Sequence, residues 1–184
     1  MARRDARTNR ARILEVAEDV FGRGGESAST EEVARLAGVG IATVFRHFPT
    51  KAALLEAVLL ERFGRLREYA ESLAGAEDPG AAFFGYFRHM VEDAGTKIAI
   101  GEALIDTGTL TDESPIDRAA AELQQALGVL LERAQKAGAV RADAALPEVY
   151  ALLIGASRAV YYARLDAGVR DKTLAIIFDG LRQR

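Results

Sequence analysis

Between Ser29 and Thr50 the chain is punctuated so closely that only two short helices and a tight turn fit. Ser29-Thr30-Glu31-Glu32 has the S-x-x-E spacing of a capping box, so a helix opens there. It buries Val33, Leu36 and Ala37 and stops at Gly38 after about eight residues. Gly38-Val39-Gly40 reads as a turn. A second short helix runs from Ile41 to His47 or Phe48 before Pro49 breaks it. Val44 and Phe48, one turn apart, give it a narrow apolar face for docking, which leaves Gly40, Ile41, Ala42, Thr43, Phe45, Arg46 and His47 outside. A supporting helix precedes the pair, from about Arg7 to Arg23, with Ile13, Leu14, Ala17, Val20 and Phe21 as its stripe and Gly24-Gly25 at its end. This is the pattern of a helix-turn-helix, in which the second short helix enters the major groove of DNA. An ordinary helical hairpin with Ile41 and Phe45 packed inward satisfies the same spacing.

The rest of the chain also reads as helix, with no sustained period-2 alternation, no internal repeat and no low-complexity tract. Thr50 caps a long helix from Lys51 to about Leu73, and the breaker cluster Gly75 to Gly80 follows it. Phe83, Phe84, Phe87, Met90 and Val91 form an aromatic-rich stripe. A helix near Lys97–Asp106 and a loop over Thr107–Ser114 come next. Ser114-Pro115 opens a helix with the stripe Ile116, Ala120, Leu123, Leu127, Leu130, Leu131 and Ala134, closed by Gly138. A helix from Pro147 to about Asp166 precedes a last one faced by Leu174, Ile177, Phe178 and Leu181. The expected architecture is all-α with about nine helices: a helix-turn-helix head over residues 1–50 and a helical bundle over residues 51–184.

Charge and composition narrow the function. The net charge of −3 argues against nucleic acid, but the distribution does not. Arg3, Arg4, Arg7, Arg10 and Arg12 face only Asp5 in the first twelve residues, and residues 1–51 are net positive while the remainder is acidic. The chain has no cysteine, which excludes disulfides, thiolate metal sites and a cysteine nucleophile. With only His47 and His89, few bases exist for a catalytic triad, and no paired-carboxylate motif or phosphate loop is present. No enzyme, cofactor or metal is expected. The charged start is not a secretory signal, and no run is long enough to span a membrane, so a cytoplasmic protein without a membrane partner is expected.

The motifs are also recognisable together. Arg12-Ile-Leu-Glu-Val-Ala with Phe21-Gly-Arg-Gly-Gly, then Thr30-Glu-Glu-Val-Ala-Arg-Leu-Ala-Gly-Val39, then Thr43-Val-Phe-Arg-His-Phe-Pro-Thr-Lys51-Ala-Ala-Leu-Leu, closely resemble the TetR family of regulators over residues 8–58. Ala137-Gly-Ala-Val-Arg-Ala-Asp143 and Phe178-Asp-Gly-Leu-Arg182 agree more loosely. The resemblance implies an all-helical homodimer, one DNA-binding head per subunit, and usually a repressor released from its operator by a small molecule.

Carried over residue by residue, the resemblance puts Thr43, His47 and Lys51 on phosphate, with Thr30 able to do likewise. The family's usual tyrosine is Phe45 here, and its common polar pair at the start of the recognition helix is Gly40-Ile41. Bases are then expected to be read by Ile41, Ala42 and Phe45 through thymine methyls and groove shape. In front of such a head, Arg3, Arg4, Arg7 and Arg10 are expected to add phosphate or minor-groove contacts. For the bundle, a largely apolar effector cavity is expected among Phe83, Phe87, Met90, Ile98, Leu104, Leu123, Leu127, Tyr150 and Tyr161. A four-helix dimer interface is expected from Leu152, Gly155, Ala156 and Ala159 together with Leu174, Ile177, Phe178 and Leu181. The rival reading is a helical interaction module whose head no longer binds DNA.

Overall fold

The computed structural model describes residues 2–24, 28–108 and 114–183, with the side chains of residues 2–6 and 24 outside that description. The described residues form nine α-helices and no strand. No helix among them is long and apolar enough to cross a membrane. They divide into two compact units, one of residues 1–62 with 96–116, the other of residues 63–95 with 117–184.

The first unit holds α1 (Ala2–Gly24), α2 (Thr30–Ala37), α3 (Ile41–His47), the start of α4 (Lys51–Leu73) and most of α6 (Ala94–Ile105). Helix α1 begins earlier than expected, because no glycine or proline interrupts the alanine- and arginine-rich stretch before Arg7. Its stripe of Ile13, Leu14, Ala17 and Phe21 packs with Val33, Ala34 and Ala37 of α2, Val44 of α3 and Phe48. Leu54, Leu55, Val58 and Leu59 of α4 complete this core with Ile100 and Leu104 of α6. The unit therefore runs past residue 50, since both α4 and α6 bury apolar side chains in it. Glu18 and Arg62 form an ion pair beside the core and are largely withdrawn from water. Gly22 packs against Thr96, where a Cβ would lie 2.6 Å from the threonine methyl.

Leu36 departs from expectation. It is 45% exposed, while Thr30, Val33, Ala34 and Ala37 form the inward face of α2. That set is spaced i, i+3, i+4, i+7, so the helical period turns Leu36 outward.

The second unit contains the rest of α4 with α5 (Pro79–Glu92), α7 (Pro115–Lys136), α8 (Leu146–Tyr162) and α9 (Ala167–Leu181). Asp78 caps α5, accepting from the Ala81 N–H at 2.9 Å. Phe83, Tyr86, Phe87, Met90 and Val91 of α5 are buried, as are Leu123, Leu127, Leu130 and Leu131 of α7. Helix α8 stops at Tyr162, short of the expected Asp166, because the chain turns through Arg164 at positive φ. Asp166 instead caps α9, its carboxylate accepting from the Val169 N–H at 3.0 Å. The carboxyl end is tied down by backbone: the Arg141 N–H donates to the Leu181 carbonyl at 2.9 Å, and Val140 and Arg182 form an isolated bridge.

Candidate nucleic-acid interface

Each short helix of the first unit is set by local chemistry. The Ser29 hydroxyl accepts from the Glu32 N–H at 3.1 Å and starts α2, whose first turn carries Glu31 and Glu32 against the helix dipole. Gly38 ends it at φ 68°, a left-handed conformation that favours glycine, while the Val39 N–H reaches back to the Ala34 carbonyl at 3.0 Å. Gly40 then caps α3 with an extended backbone, and its carbonyl accepts from Thr43 and Val44. The Thr50 hydroxyl accepts from the Ala53 N–H at 3.0 Å and opens α4 immediately after Pro49.

Helix α3 is thereby held by one edge. Val44 and Phe48 are buried in the unit's core. Ile41 and Phe45 are 37% and 42% exposed, and Ala42 and Arg46 are exposed as well. The inward-packed hairpin is thus not what the chain forms. Thr43 and His47 are half-buried at the edges of the outward face, the His47 ring tilted against Phe48. A Cβ on Gly40 would meet nothing within 4 Å, so packing does not demand glycine at this position. Thr30 is the exception among the residues expected on the surface: at 7% exposed it is one of the buried residues of α2.

The cations are placed by contacts that no local pattern signals. Lys51 donates from Nζ to the Ala28 carbonyl at 3.2 Å and lies over the Phe21 ring, 5.2 Å from its centroid. An ammonium has three protons to give, so this latch between α4 and the chain before α2 leaves donors for an anion. Arg10 is stacked on Phe48, 5.3 Å from the ring centroid, and joins α1 to the end of α3. Arg7 is exposed on α1, while the side chains of Arg3 and Arg4 lie outside the described residues. An anchored Arg10 with a helical arm before it leads to a specific expectation. Deleting residues 1–8 should weaken DNA binding and flatten its logarithmic salt dependence by about 0.9 for each phosphate the arm neutralises. A salt titration with an unchanged slope would return the arm to the status of a solvated terminus.

The comparisons with known proteins agree with this geometry. Residues 13–58 match the family model described as bacterial regulatory proteins, tetR family, and residues 78–183 match that of the transcriptional regulator SbtR-like C-terminal domain. A TetR transcription regulatory protein from Mycobacterium vanbaalenii is 40% identical, with 99% of each chain covered and a TM-score of 0.79.

The chain belongs to the TetR family.

A second TetR regulator, from Streptomyces coelicolor, is 29% identical over 95% of this chain and 98% of its own, at TM-score 0.78. A structure described as the molecular basis for control of antibiotic production by bacterial hormones is 25% identical over 95% of this chain and 98% of that one, at TM-score 0.73. No curated protein matches the chain. As a TetR member it has the fold of a DNA-binding transcriptional regulator, and the family consists of regulators rather than enzymes.

The other predicted residues of this TetR chain are distributed unevenly. Phe83, Phe87, Met90, Leu123 and Leu127 are buried in the second unit, with Tyr150 and Tyr161 half-buried on α8. Ile98 and Leu104 belong to α6 in the first unit, where Leu104 is part of the core around α1 and α4. His89 is exposed, its ring edge-on to Tyr69 at 4.8 Å. No group of three potential metal ligands occurs among the described residues. On α8, Leu152, Gly155 and Ala159 are exposed and Ala156 is buried.

Helix α9 requires a correction. Leu174, Phe178 and Leu181 are buried within the chain, and Ile177 is half-buried. Phe178 packs edge-on to Phe87 at 5.5 Å and tilted against Phe84 at 4.8 Å. Leu174 and Phe178 are therefore core residues of α9, while Ile177 and Leu181 border the open groove between α8 and α9. Ile176, at 74% exposed, and Val169 lie on the opposite side.

Proposed function

We propose that the protein is a homodimeric repressor, working in the cytoplasm, that binds a pseudo-palindromic DNA operator and is released by a small, largely apolar molecule. The observation that carries this reading is α3, docked by Val44 and Phe48 alone and presenting Ile41, Ala42 and Phe45 to solvent. Exposed apolar side chains on so short a helix suit a groove with methyl groups to read. Thr43, Arg46, His47 and Lys51 flank that face and supply phosphate contacts. Leu152, Tyr162, Val169 and Ile176, exposed on α8 and α9, supply the apolar face of a dimer. The hormone-related structure named above supports a small molecule as the releasing signal.

Selection of bound duplexes from a random pool, followed by salt titration, tests the reading. The expected product is a pseudo-palindrome whose half-sites lie about 34–36 Å apart, one DNA turn. A folded, dimeric protein that enriches no sequence would instead favour the interaction-module reading, for which Gly40, Ile41 and Phe45 are the specific support. Uracil in place of thymine at half-site positions should weaken binding about fourfold per contacted methyl, from the roughly 0.8 kcal/mol of one buried methylene-sized group. Unchanged affinity at every position would remove Ile41, Ala42 and Phe45 from base readout.

A further inference from the structure

Ser157 lies in the interior of α8, at 3% exposed, and its Oγ has no hydrogen-bond partner among the described residues. Serine in a helix usually relieves such isolation by donating to the carbonyl one turn back. Here that bond to Leu153 is not made. A buried hydroxyl without a partner forfeits its hydration and gains nothing in return.

The position of this hydroxyl on α8 gives it a use. At 100° per residue, Tyr150, Ser157 and Tyr161 fall within about 40° of one another, a stripe of three hydroxyl-bearing side chains about 16 Å long. Tyr150 and Tyr161 are half-buried and bring the two ends of the stripe to the surface. The Tyr161 ring sits 3.8 Å from the position a Cβ would take on Gly95. Helix α5 packs on α8, and its large buried residues Phe83, Phe87, Met90 and Val91 are apolar, while the hydroxyl of the buried Tyr86 is taken up in donating to the Leu66 carbonyl at 3.3 Å. The only charged side chains of α8 are Glu148 and Arg158, both exposed. A buried hydroxyl on a helix whose two charged side chains are exposed, against large apolar side chains of α5, offers a hydrogen bond but no counter-ion, so a charged ligand would lose its hydration uncompensated.

We propose that Ser157 is the polar anchor of a binding site along α8 for a neutral, elongated, mostly apolar molecule carrying an acceptor oxygen such as a carbonyl. The serine O–H donates to that oxygen, and the apolar remainder lies along the stripe. This inference rests on the reading that a small molecule controls the protein, and it names the chemistry and place of that control.

The chain has five tyrosines and no tryptophan, so tyrosine emission follows binding directly. The full-length protein is titrated, without DNA, with 2-nonanone as the neutral probe and octanoate as its charged counterpart. The wild type should bind 2-nonanone saturably, with octanoate at least about tenfold weaker. Ser157→Ala should keep an equal or higher Tm and bind 2-nonanone about tenfold more weakly, the loss of one hydrogen bond. Wild-type affinity in Ser157→Ala would overturn the proposal, and so would a lowered Tm, which would mean that the hydroxyl holds the fold together. Absence of saturable binding to the wild type would overturn it as well. Because DNA takes no part in these titrations, their failure leaves the operator-binding reading standing, and failure to bind any operator leaves a positive titration standing.

Discussion

Replacing Phe21 by alanine should destabilise the DNA-binding unit by about 3–5 kcal/mol, the cost of deleting a buried aromatic ring. Phe21 is 1% exposed in the core shared by α1, α2, α3, α4 and α6. Its ring also faces the ammonium of Lys51. The truncation therefore opens a cavity and takes away the surface against which the start of α4 is latched. Domains of ordinary stability hold only about 5–15 kcal/mol, so operator affinity should fall with the population of folded heads. Phe21→Leu separates the two effects. It keeps most of the volume at a cost of about 1.5 kcal/mol or less and removes the cation–π interaction, worth about 0.5–1 kcal/mol at an accessible site. Urea denaturation followed by far-ultraviolet circular dichroism is the measurement. Tyrosine emission is blind to this unit, because Tyr69, Tyr86, Tyr150, Tyr161 and Tyr162 all belong to the other one. A loss below about 1 kcal/mol for Phe21→Ala would show that this core does not hold the head.

Ile176→Asp should convert the protein to monomers near 19.8 kDa in sedimentation and lower its affinity for a two-site operator by about 10²–10⁴, the gain that linking two heads provides. Ile176 makes little contact with its own subunit, so the substitution should leave the monomer's fold intact. On the same side of α9 lie Val169 and Lys172, and on α8 the exposed face carries Leu152, Gly155, Ala159 and Tyr162. An open groove of about 460 Å³ between the two helices is lined by Leu152, Ile176, Ile177 and Leu181, with Arg141 and Glu148 among the polar residues at its edge. A carboxylate placed in such a surface must be dehydrated whenever two copies meet. Sedimentation of the variant as a dimer of wild-type strength would remove this face from the interface. Substituting Leu174 instead would be uninformative, since that side chain is 1% exposed within the chain and its truncation would destabilise the bundle by about 2–5 kcal/mol whatever the oligomeric state.

The helices, most of their starts and stops, and the outward-facing part of α3 were legible from sequence because each depends on neighbours a few residues away. Ser29 reaches Glu32, Thr50 reaches Ala53, Gly38 needs a left-handed backbone, and Pro49 cannot continue a helix. The position of α3 in the head follows from Val44 and Phe48 at one-turn spacing, with Ile41 and Phe45 left over. Early α1 was missed for a weaker reason: its apolar stripe starts at Ile13, although the preceding residues favour helix.

What sequence periodicity by itself determined was which residues of an element share a side. Which side meets the core, and what meets it there, only the tertiary structure decided. The i, i+3, i+4, i+7 set on α9 was visible as a face, yet a dimer seam and a subunit core have the same period, and packing against Phe84 and Phe87 assigned its Phe178 to the core. Leu36 gave way to Ala34 and Thr30 for the same reason. Lys51 on Phe21 and Ala28, Arg10 on Phe48, and Glu18 on Arg62 join residues far apart in the chain. Such contacts form because apolar burial brings the helices together first, and a long charged side chain then takes whatever carbonyl, ring or carboxylate that packing leaves within reach.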